Sequence, residues 1–282
     1  MEPKSTFHDA CSDGVAWQKK IRDSYLGDGT PPVPHLSVKR AVVKEVTRNF
    51  ATQVILKYEW LGTMANTTFH TGIFFGAYCA GVCCVGLNGS GQPSPVMHKR
   101  YGVERREIAV LARGACVHWA PKGSNSKLVS WTARLLGRIG VKVVLAFSDS
   151  DAGEVGTIYQ ACNWTYIGKG GKGKRGAVSP LGRILSDRSI MQAAIRAGIT
   201  PTELRSRMES EGWTMCVQNR KGTYVWVIDR KDKELCKRVE SLAQPYPKRN
   251  CAPEAQGAVR PPLQAGGDGS TPISALQLEQ VD

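Results

Sequence analysis

The sequence predicts a mixed α/β (α+β) protein: a central sheet flanked by helices, with a basic helix-helix-hairpin extension at its C-terminal side. Three observations predict it. Between residues 37 and 168, patterns follow one another as strand, helix, three strands, helix, strand, helix, strand. The stretch "VKVVLAF" is apolar without alternation, as a strand covered on both faces must be. After residue 168 the composition shifts to "GKGGKGKRG", glycine alternating with cations.

Residues 1–36 mix polar residues, glycine and the cluster "TPPVPH", and read as a flexible arm with one short helix. "SVKRAVVKEV" has strand character. "TRNFATQVILKYEW" sets Phe50, Val54, Ile55 and Tyr58 at helical spacing, with Thr47 as N-cap. "FHTGIFFGAY" and "AGVCCVGL" read as a hairpin, "SGQPSPVMHKRYG" as a loop, and "REIAVLARGACV" as a long strand. "APKGSNS" is a tight polar turn before the helix "KLVSWTARLLGRIG", where Leu128, Trp131, Leu135 and Leu136 recur at helical spacing. "VKVVLAF" is then a buried strand, "GTIYQACN" a helix and "WTYIG" the last strand of the core.

Residues 169–249 form the basic extension, a DNA-contacting part or a lid. The Gly-Lys run is not expected to fold on itself. "SDRSIMQAAIRAG" and "TPTELRSRMESEG" read as two short helices, with Ser186 and Thr200 as N-caps, Pro201 in a first turn and Gly198 as a stop. "WTMCVQNRKGTYVWVID" reads as a hairpin with "NRKG" at its tip, and "DKELCKRVESLA" as a last helix. Two helices and a hairpin suit either a winged helix-turn-helix module or a lid packed on the core. Residues 250–282 are poor in aromatics and rich in Gly, Pro and Gln, and are expected to be disordered.

The chain has 282 residues, 41% of them hydrophobic, enough for a large core. No apolar run reaches the roughly 18 to 20 residues that span a bilayer. "TGIFFGAYCAGVCCVGL" is broken at Gly76 and Gly81. The N-terminus lacks a basic segment followed by an apolar one, so no secretory signal is expected, and a cytoplasmic protein is. Its nine cysteines are then reduced thiols, with Cys83 and Cys84 serving as small hydrophobes. No CxxC pair marks a structural zinc site. A net charge of +14 and a pI of about 9.5 favour a polyanionic partner, nucleic acid first.

Polar residues collect where the buried strand ends, in "SDSDAGEVGTIYQACNW". Asp149 at a strand end and Tyr159 one helix later suit proton handling on an amine. They also suit an N-cap and a core tyrosine. "KGSNS" offers free amides at a helix N-terminus, a cradle for an anion, or else Ser124, Asn125 and Ser126 are caps. Arg113 is an expensive charge in a central strand unless it meets an anion or a carboxylate. Tyr58, Glu59 and Trp60 provide a planar surface and a carboxylate, fit for an extruded base or for a core edge. His70 and His118 are isolated and read as structural.

Together "KYEWLGTM", "FGAYCAGVCCVG", "VLARGACV", "PKGSNSKLVS", "AFSDSDAGEVGTIYQACNWTYIG", "SDRS" and "YPKR" resemble the Mom family of phage DNA-modification proteins, over roughly Leu56 to Arg249. The resemblance implies a GNAT-like fold, that of an acyltransferase superfamily. It implies an enzyme of the host cytoplasm that converts adenine in duplex DNA to a carbamoylmethyl derivative on its exocyclic amine, which blocks host restriction endonucleases. It carries family positions onto Tyr58, Arg113, Ser126, Asp149 and Tyr159 as catalytic residues. Asn125, Asn163, Glu59 and Trp60 are then expected around the substrate, and Lys169, Lys172, Lys174 and Arg175 on phosphates. The family is also associated with iron; Lys57 stands where some members have a histidine, so a metal is left open.

The donor is not fixed by the sequence: a coenzyme A thioester such as acetyl-CoA fits the fold analogy, but the missing pyrophosphate-binding R/QxxGxG/A loop argues against it. A glycyl ester such as glycyl-tRNA supplies the right atoms, but simple aminoacylation gives an isomer of carbamoylmethyl and a rearrangement would have to follow. Two other functions fit the residues: an acyltransferase for a protein or small amine, and a DNA-binding protein without catalysis.

Overall fold

The structure is a computed structural model describing residues 36–59, 64–87, 95–149, 154–170, 174–180, 184–185, 187–218 and 220–248. Trp60, Lys172, Ser186, nearly all of the expected arm and the expected tail lie outside these residues.

Strand β1 (Val42–Glu45) leads into helix α1 (Arg48–Tyr58). The Thr47 hydroxyl accepts from the Phe50 amide, so the expected N-cap starts the helix. Ala51, Val54, Ile55 and Tyr58 form its buried face. β2 (Phe69–Phe75) and β3 (Tyr78–Gly86) make the expected antiparallel hairpin. Pro95–Tyr101 is helix α2, where the sequence reads as a loop. Proline at a first helical position is no breaker, because its missing N–H would have no intrahelical partner there. Tyr101, 1% exposed, fixes α2 to the core. β4 (Ile108–Cys116), α3 (Ser124–Arg138), β5 (Val143–Ser148), α4 (Thr157–Ala161) and β6 (Thr165–Lys169) follow in the expected order.

The extension departs from a simple hairpin. The half-exposed strand β9 (Thr214–Gln218) pairs with β7 (Lys174–Val178), which also pairs with β8 (Ile184–Leu185) in a small three-stranded sheet. β10 (Gly222–Val227) instead enters the main sheet, whose order is β1-β2-β3-β4-β5-β10-β6. Burial goes with this place: Tyr224 lies on one face of the strand and Val225 and Val227 on the other, all three are buried, and a strand inside a sheet covered on both faces accommodates that. Helix α7 (Lys233–Glu240) then lays Leu235, Cys236 and Val239 against Ile108, Val143, Leu145, Ile167, Val225 and Val227. The main core therefore draws on residues from both sides of position 168. The last three residues of the Gly-Lys run, Lys174 to Gly176, begin β7, which forms not on itself but against its partners β8 and β9.

Helices α5 (Asp187–Ala197) and α6 (Pro201–Ser210) form as expected. Thr200 and Glu203 make a reciprocal capping box, and Gly198, at φ +67°, ends α5. Ile190, Met208 and Ala177 make a small second core with Leu185, Leu204, Trp213 and Met215.

Cys83 bonds to Thr132 of α3, whereas its neighbour Cys84 senses Arg48 and Glu59 at the two ends of α1. Consecutive strand residues point to opposite faces, so α1 and α3 cover opposite faces of the sheet. Among the described residues no helix is long and apolar enough to cross a membrane.

Candidate active site

Every described pairing in the main sheet is antiparallel except that of β4 with β5. That pairing runs from Ile108 with Val143 to Leu111 with Ala146. At its end β4 carries an extra residue: Cys84 faces Arg113 and Val85 faces Leu111, which leaves Ala112 as a bulge. A bulge bends the strand and re-aims the next side chain. Arg113 and Asp149 lie two and three residues beyond the last pair. They thus lie just past the end of the parallel pairing, Arg113 still within β4 and Asp149 directly after β5, on the side where open α/β sheets bind ligands.

Arg113 Nη1 donates to the Ala112 carbonyl at 2.7 Å, and its Nε lies 4.0 Å from Glu59 Oε2. The carboxylate that a half-buried strand arginine needs is therefore Glu59, at the end of α1. Tyr58 beside it is 4% exposed. Its ring lies 6.1 Å from that of His118, and the Lys57 ammonium stands 5.5 Å from its centroid. Here Tyr58 is part of a wall rather than an open stacking face. Lys57 places a cation beside it, and among the described residues no group of three or more His, Cys, Asp or Glu could hold a metal. The described residues around Tyr58 do not fit an iron centre.

The acid-glycine turn after β5 is closed from both sides. The Glu154 amide donates to the Asp149 carbonyl at 2.9 Å, and the Asp149 amide to Glu154 Oε2 at 3.3 Å. The Asp149 side chain is 13% exposed, and its Oδ2 lies 2.9 Å from Nζ of Lys221, which is 52% exposed. Tyr159 of α4 is held between Trp164 and Tyr224, each ring 5.2 Å away. Burial, reinforced by the negative charge of Glu154 and by the Cys83 thiol, pushes its phenol far above the usual tyrosine range. Such a phenol keeps its proton and acts as a donor, not as a base. Tyr224, from β10, fixes the turn: its hydroxyl donates to the Val155 carbonyl at 2.6 Å and accepts from Gln160 Nε2 at 3.1 Å.

Helix α3 opens at Gly123, whose φ is +91°, with no side-chain cap. The Ser124 amide and hydroxyl both donate to the Pro121 carbonyl, so Ser124 is not the cap. Asn125 and Ser126 are half-buried in the first turn, where helix amides and the positive end of the dipole attract an anionic group. The Ser126 carbonyl accepts from Cys162 Sγ at 3.5 Å, which joins α3 to the residue after α4.

The structure thus brings Glu59, at the end of the helix that carries Tyr58, to Arg113; it sets Asp149 and Tyr159 on either side of the turn that Tyr224 fastens, and ties Ser126 to the end of α4 through Cys162. Asn163 is exposed at φ +57° and ends α4, a backbone role. Lys169 is exposed at the end of β6, and Lys174 and Arg175 open β7. Sequence reasoning missed Lys221 and Tyr224. Lys221 reads as an ordinary hairpin tip and Tyr224 as an ordinary strand aromatic, because their partners lie about seventy residues away.

No curated protein matches the chain. Among solved structures it is similar to an N-acyl amino acid synthase from uncultured soil microbes, at 12% identity and a TM-score of 0.40 over 69% of this chain and 94% of that one. It is also similar to an N-acetyltransferase from Staphylococcus aureus Mu50, at 10% identity and a TM-score of 0.37 over 67% and 99%. A third is an acetyltransferase from Bacillus subtilis in complex with CoA, at 11% identity and a TM-score of 0.34 over 67% and 97%. The model of the Mom protein family matches residues 40–248, which take in β1 to α7 and the residues of the site, and the chain belongs to that family.

Proposed function

We propose that this protein is a transferase of the phage-infected host cytoplasm that adds a carbamoylmethyl or related group to the exocyclic amine of adenine in duplex DNA. The modified base would then resist restriction endonucleases. Family membership supports DNA modification as the task. The observation that carries the chemistry is a turn with unlike groups on its two sides: a carboxylate at Asp149, just after β5, and in α4 the phenol of Tyr159, which keeps its proton.

The adenine amine is conjugated with its ring and is a poor nucleophile, so positioning must supply much of the rate. Its nitrogen forms a bond to the donor's carbonyl carbon while the bond from that carbon to the leaving group breaks; with a glycyl ester this gives the N6-glycyl isomer, and a rearrangement has to follow to reach carbamoylmethyl. Asp149 takes the proton that the amine gives up and can pass it to the leaving group, while Tyr159 keeps its own proton and donates a hydrogen bond to the leaving group or the donor's carbonyl. Arg113 and the first turn of α3, at Asn125 and Ser126, hold the donor or steady negative charge that develops on it. A coenzyme A thioester and a glycyl-tRNA both carry phosphates that would suit that helix end. The target base must leave the duplex to reach the strand ends, and cations from Lys169 onward hold the flanking phosphates.

The test is mass spectrometry of nucleosides from plasmid DNA of cells expressing the protein. A modified deoxyadenosine that is absent with Asp149→Asn is the expected result. Unmodified DNA beside an acylated protein or small amine would overturn the reading.

A further inference from the structure

Lys221 joins two kinds of chemistry. It lies in the connection from β9 to β10, with its ammonium 2.9 Å from Asp149 Oδ2 and half of its side chain still in solvent. Its carbonyl accepts from the Gly170 amide at 3.1 Å, and the next residue, Gly222, pairs with Lys169. A Cβ on Gly170 would stand 2.9 Å from Thr223 Oγ1, so glycine is what lets the end of β6 lie this close. Lys169 and Arg220 are both exposed. Three cations from two distant segments therefore meet at one corner. Asp149 and Glu154, the acids at that strand end, leave the corner net positive.

Resting on the function proposed above, the geometry points to a phosphate-binding corner formed by Lys169, Arg220 and Lys221, which takes the DNA backbone beside the target adenosine. Lys221 is its positioning residue. An ammonium has three N–H donors, so Lys221 can serve a phosphate and Asp149 together. It then fixes the distance from the DNA backbone to the carboxylate that meets the amine. Phosphate contacts of this kind set register and orientation without reading sequence. Arg220 and Lys169 supply the rest of the charge from either side.

The experiment measures binding of a labelled duplex by the full chain across salt concentrations, and turnover of the same proteins by mass spectrometry of deoxyadenosine. Lys169→Ala and Arg220→Ala are each expected to flatten the slope of log K against log salt by about 1, and the double variant by about 2. Lys221→Gln is expected to flatten it by about 1 and also to lower turnover at saturating DNA by roughly 10-fold or more, since small misplacements near the reacting atoms are costly. Lys221→Arg keeps the charge and should restore the slope. Lys237→Ala, exposed on α7, is the control and should change neither quantity.

Unchanged slopes in the Lys169 and Arg220 variants would overturn the corner, as would an equal loss in Lys237→Ala, which would mean diffuse attraction. Lys221→Gln with full turnover at saturating DNA would remove its positioning role. A wild-type protein whose slope depends on the corner but which leaves adenine unmodified would support the corner and overturn the proposed reaction.

Discussion

The Tyr224 hydroxyl donates to the Val155 carbonyl across 2.6 Å, and this bond fastens β10 to the turn that links Asp149 with Tyr159. The same ring stands 5.2 Å from that of Tyr159. One residue thus supports both proposed proton-handling groups. Tyr224→Phe keeps the ring and removes the bond. Gln160 Nε2 still donates to the Val155 carbonyl at 2.7 Å, so that group stays satisfied. The expected cost is about 0.5–1.5 kcal/mol of stability, with a loss of turnover beyond what fewer folded molecules would cause. Thermal melts and modified adenine per folded protein separate the two. Turnover at the wild-type level would show that the turn keeps its place unaided.

Gly156 has a φ of +68°, and a Cβ added to it would lie 2.3 Å from Tyr224 Cε2. Gly156→Ala therefore meets backbone strain and an immovable ring together. Strain of this kind costs roughly 1–3 kcal/mol, and displacing the ring adds to it. Urea unfolding should show the loss, and trimming the ring with Tyr224→Leu should recover part of it. A variant as stable as wild type would mean that the ring moves freely.

These two residues also mark what the sequence can reveal. Thr47, and Thr200 with Glu203, are readable because a cap and its target lie three residues apart. The buried strand at Val143–Ser148 is readable from its composition alone. Asp149 and Tyr159 stand out because acids and glycines at a strand end serve no core. β10 is different: its apolar residues announce a strand, but nothing local says that it pairs with β5 and β6 rather than with β9. Lys221 and Tyr224 follow from that pairing, so they stayed hidden with it. Pro95 misled in the opposite direction, because proline marks both a loop and a first helical turn.

Burial pushes the Cys84 and Cys116 thiols up to about 12 and Cys79 up to about 11, and it raises Cys83 as well. Thiolate is the reactive form, so these four should resist iodoacetamide at pH 8 while the protein is folded. Peptide mass spectrometry with and without urea would check this. Rapid native labelling of Cys83 or Cys84 would contradict the packing between β3 and its two covering helices.

Glu107 Oε1 lies 2.6 Å from Lys142 Nζ, just before β4 and β5 begin. The bond from Lys142 holds the Glu107 carboxyl below the usual glutamate range, against the opposing effect of its burial. A depressed folded-state value means that the stabilisation is full above the unfolded value of about 4.3. It is lost as pH falls through the lower folded value. Glu107→Gln should therefore flatten the fall of Tm below about pH 4.5. At pH 7 it should cost only about 0–1 kcal/mol, because Lys142 is half in solvent. Parallel Tm curves for both proteins from pH 7 to 3 would dismiss the link.

Asp149→Asn and Tyr159→Phe each keep shape and remove one chemical ability. If Asp149 takes the amine proton, its loss should cost a factor of roughly 100 to 10,000 in rate. Tyr159→Phe should cost a similar or smaller factor by removing one donor. Neither should move the melting temperature much. Asp149 gives up an ion pair with a half-exposed lysine, and phenylalanine at 159 still packs between Trp164 and Tyr224. DNA affinity should also hold, because Lys169 and Arg220 remain. The double variant should lose less than the product of the two factors, since both residues act on one transition state. A purely structural role forecasts the reverse: early melting with normal modification per folded molecule. If melts and modified adenine follow that second pattern, Asp149 and Tyr159 hold the turn and the helix together, and the proton must go elsewhere.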